Sequence, residues 1–402
     1  MRVSESAAER AEGVVIASTG ASGAEQAARD IAAQIARLSP ADEAPRDALA
    51  ALVCFVSASH DAARFAAELE KTLPGVAIYG CTTAGELAPS GWASDSVVAL
   101  GFLRRDFALC AHLVENLSNF SVEAGRAAFI ETRDALIASD PRIEPDDCFG
   151  LLLIDGLCRR EEAVISALYS ALDDIPVVGG SAGDSLSFDK TFMISGGRVY
   201  RDAALLLLFH SALPFAPFKC DYFEPTGNKM VVTDADTEAR IVRELNAEPA
   251  AAEYARQVGV MESKLEPSSF ASHPVLVGVG GQYYARSIQK VNPDGSLSFF
   301  CAIDEGLVLT VARPRDPYES TLATFDSMEA QIGPVSLYIG FDCVLRRLDA
   351  ERRQISRRLS DLYRARRVIG FNTYGEQFRS MHVNQTFTGI ALGRRGREDA
   401  TE

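Results

Sequence analysis

Short runs of consecutive apolar residues alternate along the chain with longer segments in which apolar residues recur every three to four positions. The first pattern predicts strands buried on both faces, and the second predicts amphipathic helices. The clearest strand–helix pairs are 51–56 with 61–73, 149–154 with 161–172, and 335–340 with 350–366. One further helix is predicted before each strand, at about 24–38, 121–138 and 317–331. Helices that alternate with buried strands indicate βαβ crossovers and an α/β fold.

Each strand–helix pair leads into a second apolar strand that ends in a Gly–acid motif, [Ser/Thr]-[Ala/Tyr]-Gly-[Asp/Glu], and a further strand follows. The three copies of this motif end at Glu86, Asp184 and Glu376. The spacing predicts a unit of helix, strand, helix, strand, loop and strand that occurs three times. Because the last strand is entered through a tight loop, we expect mixed sheets with an antiparallel member.

A stretch of different character, about 217–313, separates the second copy from the third. It contains short strand-like runs and a strong turn signal, Asn292-Pro-Asp-Gly295. We therefore predict two domains. Residues 13–215 hold two repeat units, and residues 216–395 hold the β-rich insertion and the third unit.

The 402 residues carry a net charge of −15, which argues against nucleic acid or an anionic membrane surface as the main partner. The longest apolar run, Ala203–Phe209, is too short to span a bilayer, and no targeting segment is visible. The eight cysteines form no CxxC pair, so we expect a reducing, cytoplasmic location without a disulfide framework or a zinc site. No motif of a known enzyme class is present, and we expect no catalytic activity.

The third copy differs chemically from the other two. Tyr374 stands where the other copies have alanine, and His382 stands six residues past Glu376, where they have tryptophan and lysine. A repeated turn needs glycine and a small residue, but it has no folding need for a phenol and an imidazole in one copy. We interpret this loop as a ligand site, with a buried histidine satisfied by a loop carbonyl as the plain alternative.

The sequence resembles a known family at these motifs. The run Tyr79-Gly-Cys-Thr-Thr-Ala-Gly-Glu86 resembles the N-terminal half of FIST domains. Ile339-Gly-Phe-Asp-Cys-Val-Leu-Arg346, Ile369-Gly-Phe-Asn-Thr-Tyr-Gly-Glu-Gln377 and Asn384-Gln-Thr386 resemble the C-terminal half. The resemblance covers nearly the whole chain and implies a ligand-sensing module of bacterial signalling, similar to the stand-alone form of the family.

The segment 374–389 resembles a haem-binding branch of the family that senses nitric oxide. This resemblance implies haem b ligated by His382, and regulation of a separate histidine kinase or cyclic-di-GMP enzyme by contact, with homodimerisation left open. Glu376 would orient the imidazole, Met381 would contribute to an apolar wall, and arginines would bind the propionates. The predicted cofactor-binding residues are His382, Tyr374, Glu376, Arg346, Arg347, Arg379, Met381 and Asn384.

The alternative hypothesis is a metal-free FIST module that binds a small organic ligand such as an amino acid, with Glu376, Arg346 and Asn384 as polar contacts. Among the other histidines, His210 is the second candidate for iron. The nine arginines of 346–367 predict an amphipathic helix with a basic outer face. That face is either solvated or docks to an acidic surface of a partner.

Overall fold

The computed structural model describes residues 6–40, 43–279 and 281–395. Strands and helices alternate through its first half as the hydrophobic pattern predicts. In chain order the elements are β1 (Ala7–Ala11), β2 (Val14–Thr19), α1 (Ala24–Leu38), α2 (Pro45–Ala48), β3 (Leu49–Ser57), α3 (Ala62–Thr72), β4 (Ile78–Thr83), β5 (Glu86–Ala88), β6 (Gly91–Ala93), β7 (Val97–Leu103), β8 (Phe107–Val114), α4 (Val122–Ser139), β9 (Cys148–Ile154), α5 (Glu161–Leu172), β10 (Val177–Ser181), β11 (Met193–Ser195), β12 (Arg198–Tyr200) and β13 (Ala204–Ser211).

The second half begins with a strand and a β-rich insertion, and it ends with the third copy of the repeat. Its elements are β14 (Phe215–Cys220), β15 (Phe223–Asp236), β16 (Ile241–Leu245), β17 (Glu248–Pro249), α6 (Ala250–Val258), α7 (Pro267–Ser272), β18 (Val275–Val279), β19 (Gln282–Arg286), β20 (Ile288–Val291), β21 (Leu297–Phe299), β22 (Val308–Pro314), α8 (Pro317–Ile332), β23 (Val335–Cys343), α9 (Val344–Arg352), α10 (Ser356–Ala365), β24 (Val368–Thr373), β25 (Glu376–Phe378), β26 (Met381–Val383) and β27 (Phe387–Gly393).

The α/β class and the mixed sheets predicted from the sequence are confirmed. Each copy of the repeat contains a leading strand and a short hairpin in addition to the predicted elements. The copies span 14–103, 107–211 and 215–393, and the β-rich insertion 223–314 interrupts the third copy after its leading strand. The complete unit is therefore strand, helix, strand, helix, strand, hairpin, strand.

Each copy builds the same four-stranded sheet core, in which only the two crossover strands are parallel to each other. The strand orders are β2-β7-β3-β4, β8-β13-β9-β10 and β14-β27-β23-β24. In each sheet the last strand of the copy lies antiparallel between the leading strand and the first crossover strand. The expected antiparallel member is thus present in all three sheets.

The short hairpins are exchanged between the copies in a cycle. The hairpin of the first copy, β5–β6, extends the sheet of the third copy through β24. The hairpin of the second copy, β11–β12, pairs with β4 of the first copy, and the hairpin of the third copy, β25–β26, pairs with β10 of the second. Every Gly–acid loop therefore lies where one copy crosses into the sheet of another.

The inner faces of the three sheets share one apolar core, which includes Phe55, Phe102, Phe149 and Phe371. Amphipathic helices cover the outer faces: α1 and α3 lie on the first sheet, α4 and α5 on the second, and α8 and α10 on the third. The insertion forms its own eight-stranded sheet and a separate core against α6 and α7. The site described below lies where this insertion meets the repeats.

The helix predicted at 350–366 is wrong in one respect. The basic segment forms two helices, α9 and α10, which are separated at Gln354, a residue with a left-handed backbone (φ 58°). Arg346 and Arg347, at the start of α9, are buried, so they do not belong to the basic outer face that the sequence predicts.

Candidate functional site

The three Gly–acid loops meet one another through backbone hydrogen bonds. Between the first and third copies, Asn372 N–H donates to the Gly85 carbonyl (2.7 Å). Between the third and second copies, Ser181 N–H donates to the Gly375 carbonyl (2.7 Å), and between the second and first, Gly183 N–H donates to the Thr82 carbonyl (3.2 Å). A displacement of one loop therefore alters hydrogen bonds of the other two loops.

The acids of the first and third loops are buried and held by hydroxyl groups. Thr83 and Ser96 donate to the two carboxylate oxygens of Glu86, the latter at 2.6 Å. In the third copy Thr373 and Thr386 do the same for Glu376, and the Thr386 backbone N–H also donates to it (3.1 Å). Burial raises the pKa of Glu86 to about 7 and the pKa of Glu376 to about 8. These acids stabilise their turns and do not face a cavity.

The acid of the second loop is held differently. Strand register makes Gly80, Gly179 and Gly370 equivalent, because a Cβ at each would collide with a backbone carbonyl of the parallel neighbour. Asp184 therefore stands level with Gly85 and Gly375 and not with the two glutamates. The backbone N–H groups of Phe188, Asp189 and Lys190 donate to the Asp184 carboxylate. The sequence motif, which pairs Asp184 with Glu86 and Glu376, is therefore wrong by one residue in the second copy.

Tyr374 joins the third loop to the second. Its hydroxyl donates to the Asp184 carboxylate and accepts hydrogen bonds from the backbone N–H groups of Asp184 (3.2 Å) and Leu186 (2.7 Å). Its ring packs on Phe188 with centroids 4.9 Å apart. Tyr374 is thus a link between copies, and its hydroxyl does not point toward a ligand.

The His382 ring lies on β26 and is 3% exposed. Its Nδ1 is 3.4 Å from the Gln377 amide nitrogen, whereas its Nε2 has no hydrogen-bond partner among the described residues. The Nε2 side of the ring faces Gly375, because a Cβ built on that glycine would lie 2.8 Å from Nε2. Burial lowers the pKa of His382, although the nearby Glu162 and Glu161 carboxylates oppose that shift.

Several buried polar atoms around this ring lack partners in the part of the chain that the structure describes. They are the Gln377 carbonyl oxygen, the His382 Nε2, both side-chain polar atoms of Asn384, the Gln385 carbonyl oxygen and the Arg286 Nε. Native proteins leave few such groups, since each one without a partner costs about 1–3 kcal/mol. Their concentration in the third copy indicates a place where a ligand or water supplies the missing partners.

A cavity of about 290 Å³ opens beside two of these residues, His382 and Arg286, between α5, the third hairpin and the insertion. It is lined by Glu162, Ser166, Tyr169, Arg286, Ser380, Met381 and His382. Arg286 is half-buried, forms no ion pair with any described residue, and donates one hydrogen bond to the His382 carbonyl (3.4 Å). Glu162 is one-third exposed and is held by Arg240 (2.6 Å) and by the Ala302 N–H (2.7 Å). The wall therefore presents an unpaired cation and a fixed carboxylate.

Three arginines predicted to bind propionates do not reach this cavity. Arg346 is buried in an ion pair with Asp342 (2.7 Å) and also donates to Thr321. Arg347 donates to the Ala93 carbonyl (3.2 Å) at the first hairpin. Arg379 is exposed, and its guanidinium packs 5.6 Å from the centre of its neighbour's ring. The prediction for these arginines is corrected, because α9 directs Arg346 into its own copy and Arg347 toward the first hairpin, while Arg379 lies at the surface.

The described residues do not fit haem in this arrangement. A haem-ligating imidazole needs open space for the porphyrin beside the liganding nitrogen, whereas Nε2 of His382 faces Gly375 and Asn384. The cavity is at the lower limit of the range of about 300–1,000 Å³ that drug-sized ligands occupy. Across the described residues, no group of three or more His, Cys, Asp or Glu side chains is arranged to hold a metal ion.

Comparison with known protein families matches the FIST N domain over residues 50–248 and the FIST C domain over residues 250–379. The chain belongs to the FIST family. FIST domains are sensory, non-catalytic modules of signalling systems. The matches divide this FIST chain near residue 249, and the boundary at 215/216 stays a prediction. In the described ranges, no helix is long and apolar enough to cross a membrane.

One curated relative is an uncharacterised protein of Methanocaldococcus jannaschii, 27% identical over 188 residues. The alignment covers 46% of this chain and 36% of that protein, so the chain matches only about a third of the length of that relative. The relative carries no stated ligand.

Of the residues predicted from the sequence, His382 and Met381 line this cavity, whereas its other charged lining residues, Glu162 and Arg286, were not predicted. Glu162 belongs to the second copy, whose strand β10 pairs with the hairpin of the third copy. Arg286 belongs to the insertion. No motif marks either residue. Only the exchanged hairpin brings them to His382, so the sequence carried no signal by which they could have been found.

Proposed function

We propose that this chain is a sensory protein that detects a small polar organic molecule, such as an amino acid, at the third-copy loop. The observation that carries the proposal is the cavity of about 290 Å³, whose wall includes two residues with buried, unpartnered nitrogen atoms, His382 (Nε2) and Arg286 (Nε). A ligand that satisfies these atoms gains hydrogen bonds that the free protein lacks. This corresponds to the metal-free hypothesis, with different polar contacts.

The charges of the cavity wall support a zwitterionic ligand. The unpaired guanidinium of Arg286 is suited to a carboxylate, and Glu162, one-third exposed, is suited to an ammonium group. Arg286 and Glu162 replace Arg346 and Glu376 in this proposal, because the first two residues line the cavity and the other two do not. The small volume favours a ligand of amino-acid size.

Signal output would pass through the interlocked loops to a separate signalling enzyme, for which a histidine kinase or a cyclic-di-GMP enzyme remains the proposal. Gly375 contacts the His382 ring, and the neighbouring Tyr374 holds the loop of the second copy. A ligand that binds one arrangement of these loops better than another would shift their populations.

The test is a thermal-shift and calorimetric screen of purified protein against the amino acids and against their amine and carboxylate fragments. A true ligand raises the melting temperature in proportion to its concentration over its Kd. Arg286→Gln should weaken binding by about 10- to 100-fold, the effect of losing one charge-assisted hydrogen bond. Arg313→Gln is the matched control, because Arg313 is an exposed arginine of the same insertion and pairs with Glu224 (3.0 Å).

The same preparation tests haem b and nitric oxide. Protein that takes up haemin stoichiometrically, with a Soret band lost in His382→Ala, would contradict the amino-acid proposal and restore the haem hypothesis. Colourless protein that ignores haemin and binds an amino acid through Arg286 supports the proposal. Equal affinity of the Arg286→Gln and Arg313→Gln variants would remove the assigned site.

A further inference from the structure

A second and larger cavity, of about 470 Å³, lies between the first and second copies. One wall is the β3–α3 connection and the first turn of α3, including Ser59 and His60. The opposite wall is the loop that follows Asp184, including Ser187 and Lys190. None of its residues lines the site proposed above.

The His60 side chain is a buried polar group at the wall of this cavity. It is 7% exposed, and neither ring nitrogen has a hydrogen bond of normal geometry among the described residues. Burial lowers the pKa of His60, whereas a weak contact with the Asp95 backbone and the Asp95 charge oppose that shift. The neutral ring therefore keeps a donor and an acceptor that are poorly satisfied, and a ligand in the cavity that binds them more strongly is stabilised.

The loop that closes the cavity is peculiar to the second copy. In the first and third copies the acid of the motif starts the hairpin directly, whereas residues 185–192 separate Asp184 from β11. The carboxylate of Asp184 fixes this loop by accepting the N–H groups of Phe188 and Lys190 (2.8 and 3.0 Å). The extra residues bring Ser187 and Lys190 opposite His60.

The carboxylates at this cavity are already engaged within the protein. Asp184 accepts three backbone N–H groups and the Tyr374 hydroxyl. Asp61 caps α3 through the N–H groups of Ala63 and Arg64 and is half-exposed. Asp189 lies 3.9 Å from the ammonium of Lys190 and points largely to solvent. The groups that remain to bind a ligand are therefore mainly donors, namely His60, Lys190 and the serine hydroxyls.

The internal repeat supports the same conclusion independently. The 470 Å³ cavity and the 290 Å³ cavity occupy equivalent junctions, each between the second helix of one copy and the loop or hairpin of the next. At the remaining junction Arg347 of α9 donates to the Ala93 carbonyl and to Ser94 (2.8 Å) of the first hairpin. One junction is thus filled by a side chain, and the two open ones each contain a buried histidine with an unpartnered nitrogen.

We propose that the His60 cavity is a second ligand site, which binds the oxyanion of a small molecule, a carboxylate or a phosphate, between His60 and Lys190. It is separate from the amino-acid site at His382. The proposal does not depend on that site being correct, because the two cavities share no residue.

The experiment is a titration of the full chain with inorganic phosphate and with acetate, followed by NMR of ring-labelled histidines. The chain has five histidines, and a His60→Gln variant assigns the signal. We expect a saturable shift of the His60 ring signals with at least one of the two anions and no shift at His112. Lys190→Ala should weaken binding by about 2- to 5-fold, the loss of one exposed charged contact, whereas Lys71→Ala, at the far end of α3, should not.

A shift restricted to His382 would belong to the other site and would overturn the present proposal. No saturable shift of His60 with either anion at millimolar concentration would also overturn it. So would a shift caused by ethylammonium and not by the anions, since that would require the opposite ligand charge. The titration of the unmutated protein decides the question even where a His60 variant fails to fold.

Discussion

Glu86 and Glu376 are enclosed by hydroxyl groups of their own copies, so each carboxyl oxygen already has a donor. The sequence predicts an acid at each loop, and a ligand contact was a reasonable interpretation of Glu376. The hydroxyl partners lie three and ten residues away from each acid, so local chemistry alone satisfies them. Such an acid holds a proton near neutral pH because burial penalises its charged form.

The first prediction concerns the pH dependence of stability. The pKa of Glu376 is raised to about 8 in the folded protein, so the folded state retains a proton that the unfolded state releases near its ordinary pKa. Its stabilising contribution is complete below the unfolded pKa of 4.5 and is lost as the pH rises toward 8. In Glu376→Gln this loss should be absent. The free energy of unfolding of the variant minus that of the wild type should therefore increase by a few kcal/mol as the pH rises across this range.

Urea denaturation at intervals from pH 5 to pH 8 measures this difference. His60 and His382, whose pKa values are lowered by burial, contribute slopes of the opposite sign, which cancel when the variant is compared with the wild type. Glu248→Gln, at an exposed position, is the control and should leave the slope unchanged. Parallel curves for Glu376→Gln and the wild type would show that Glu376 does not bind the extra proton.

The loop 185–192 lines the His60 cavity and is bound by Tyr374 of the third copy. Three of its residues, Ser185, Leu186 and Phe188, have left-handed backbone angles of 58°, 68° and 52°, which non-glycine residues rarely adopt. Such angles persist only where surrounding contacts enforce them. The Asp184 carboxylate and the Tyr374 hydroxyl supply those contacts. The loop should therefore loosen when either contact is removed.

The second prediction is that Tyr374→Phe loosens this loop selectively. The change leaves the Leu186 N–H without its acceptor at 2.7 Å and should cost about 1–3 kcal/mol of stability. Amide exchange of Leu186 and Phe188 should accelerate more than exchange elsewhere. Tyr338→Phe is the matched control, because it also removes a hydroxyl bond (3.2 Å, to the Phe325 carbonyl) but lies outside this loop. Equal acceleration at the loop in both variants would contradict the role of Tyr374.

The long elements were predictable from the sequence, whereas the short hairpins were not. Strands such as β3, β9 and β23 are buried along almost their whole length and read as continuous apolar runs. Strands β5, β6, β25 and β26 have three residues each, too few for either periodicity to be visible. The unusual third loop could be predicted because the repeat supplies an internal comparison. The partner of Tyr374, which lies 190 residues away, could not.

At the scale of the whole molecule, exchange of the hairpins joins the three copies into one structure. Strand β10 lies beside β25 of the third copy, and β24 lies beside β5 of the first. The inner faces of all three sheets also contribute to one core. Both kinds of contact cross the predicted boundary at 215/216. Residues on the two sides of that boundary therefore stabilise each other.

The third prediction is that residues 13–215 do not fold alone. This fragment leaves the edge of β10 uncovered, deprives β5 of its neighbour β24, and exposes the inner faces of two sheets that the third sheet covers. Exposed edges and apolar faces of this kind favour aggregation over a cooperative fold. Co-expression with residues 216–395 should restore a soluble complex with one thermal transition. The matched control is the full chain cleaved at a protease site inserted in the turn at the exposed Pro293 and Asp294, which interrupts the insertion and leaves every exchanged hairpin in place. A 13–215 fragment with a dispersed NMR spectrum and its own cooperative transition would show that the first two copies are energetically independent of the third.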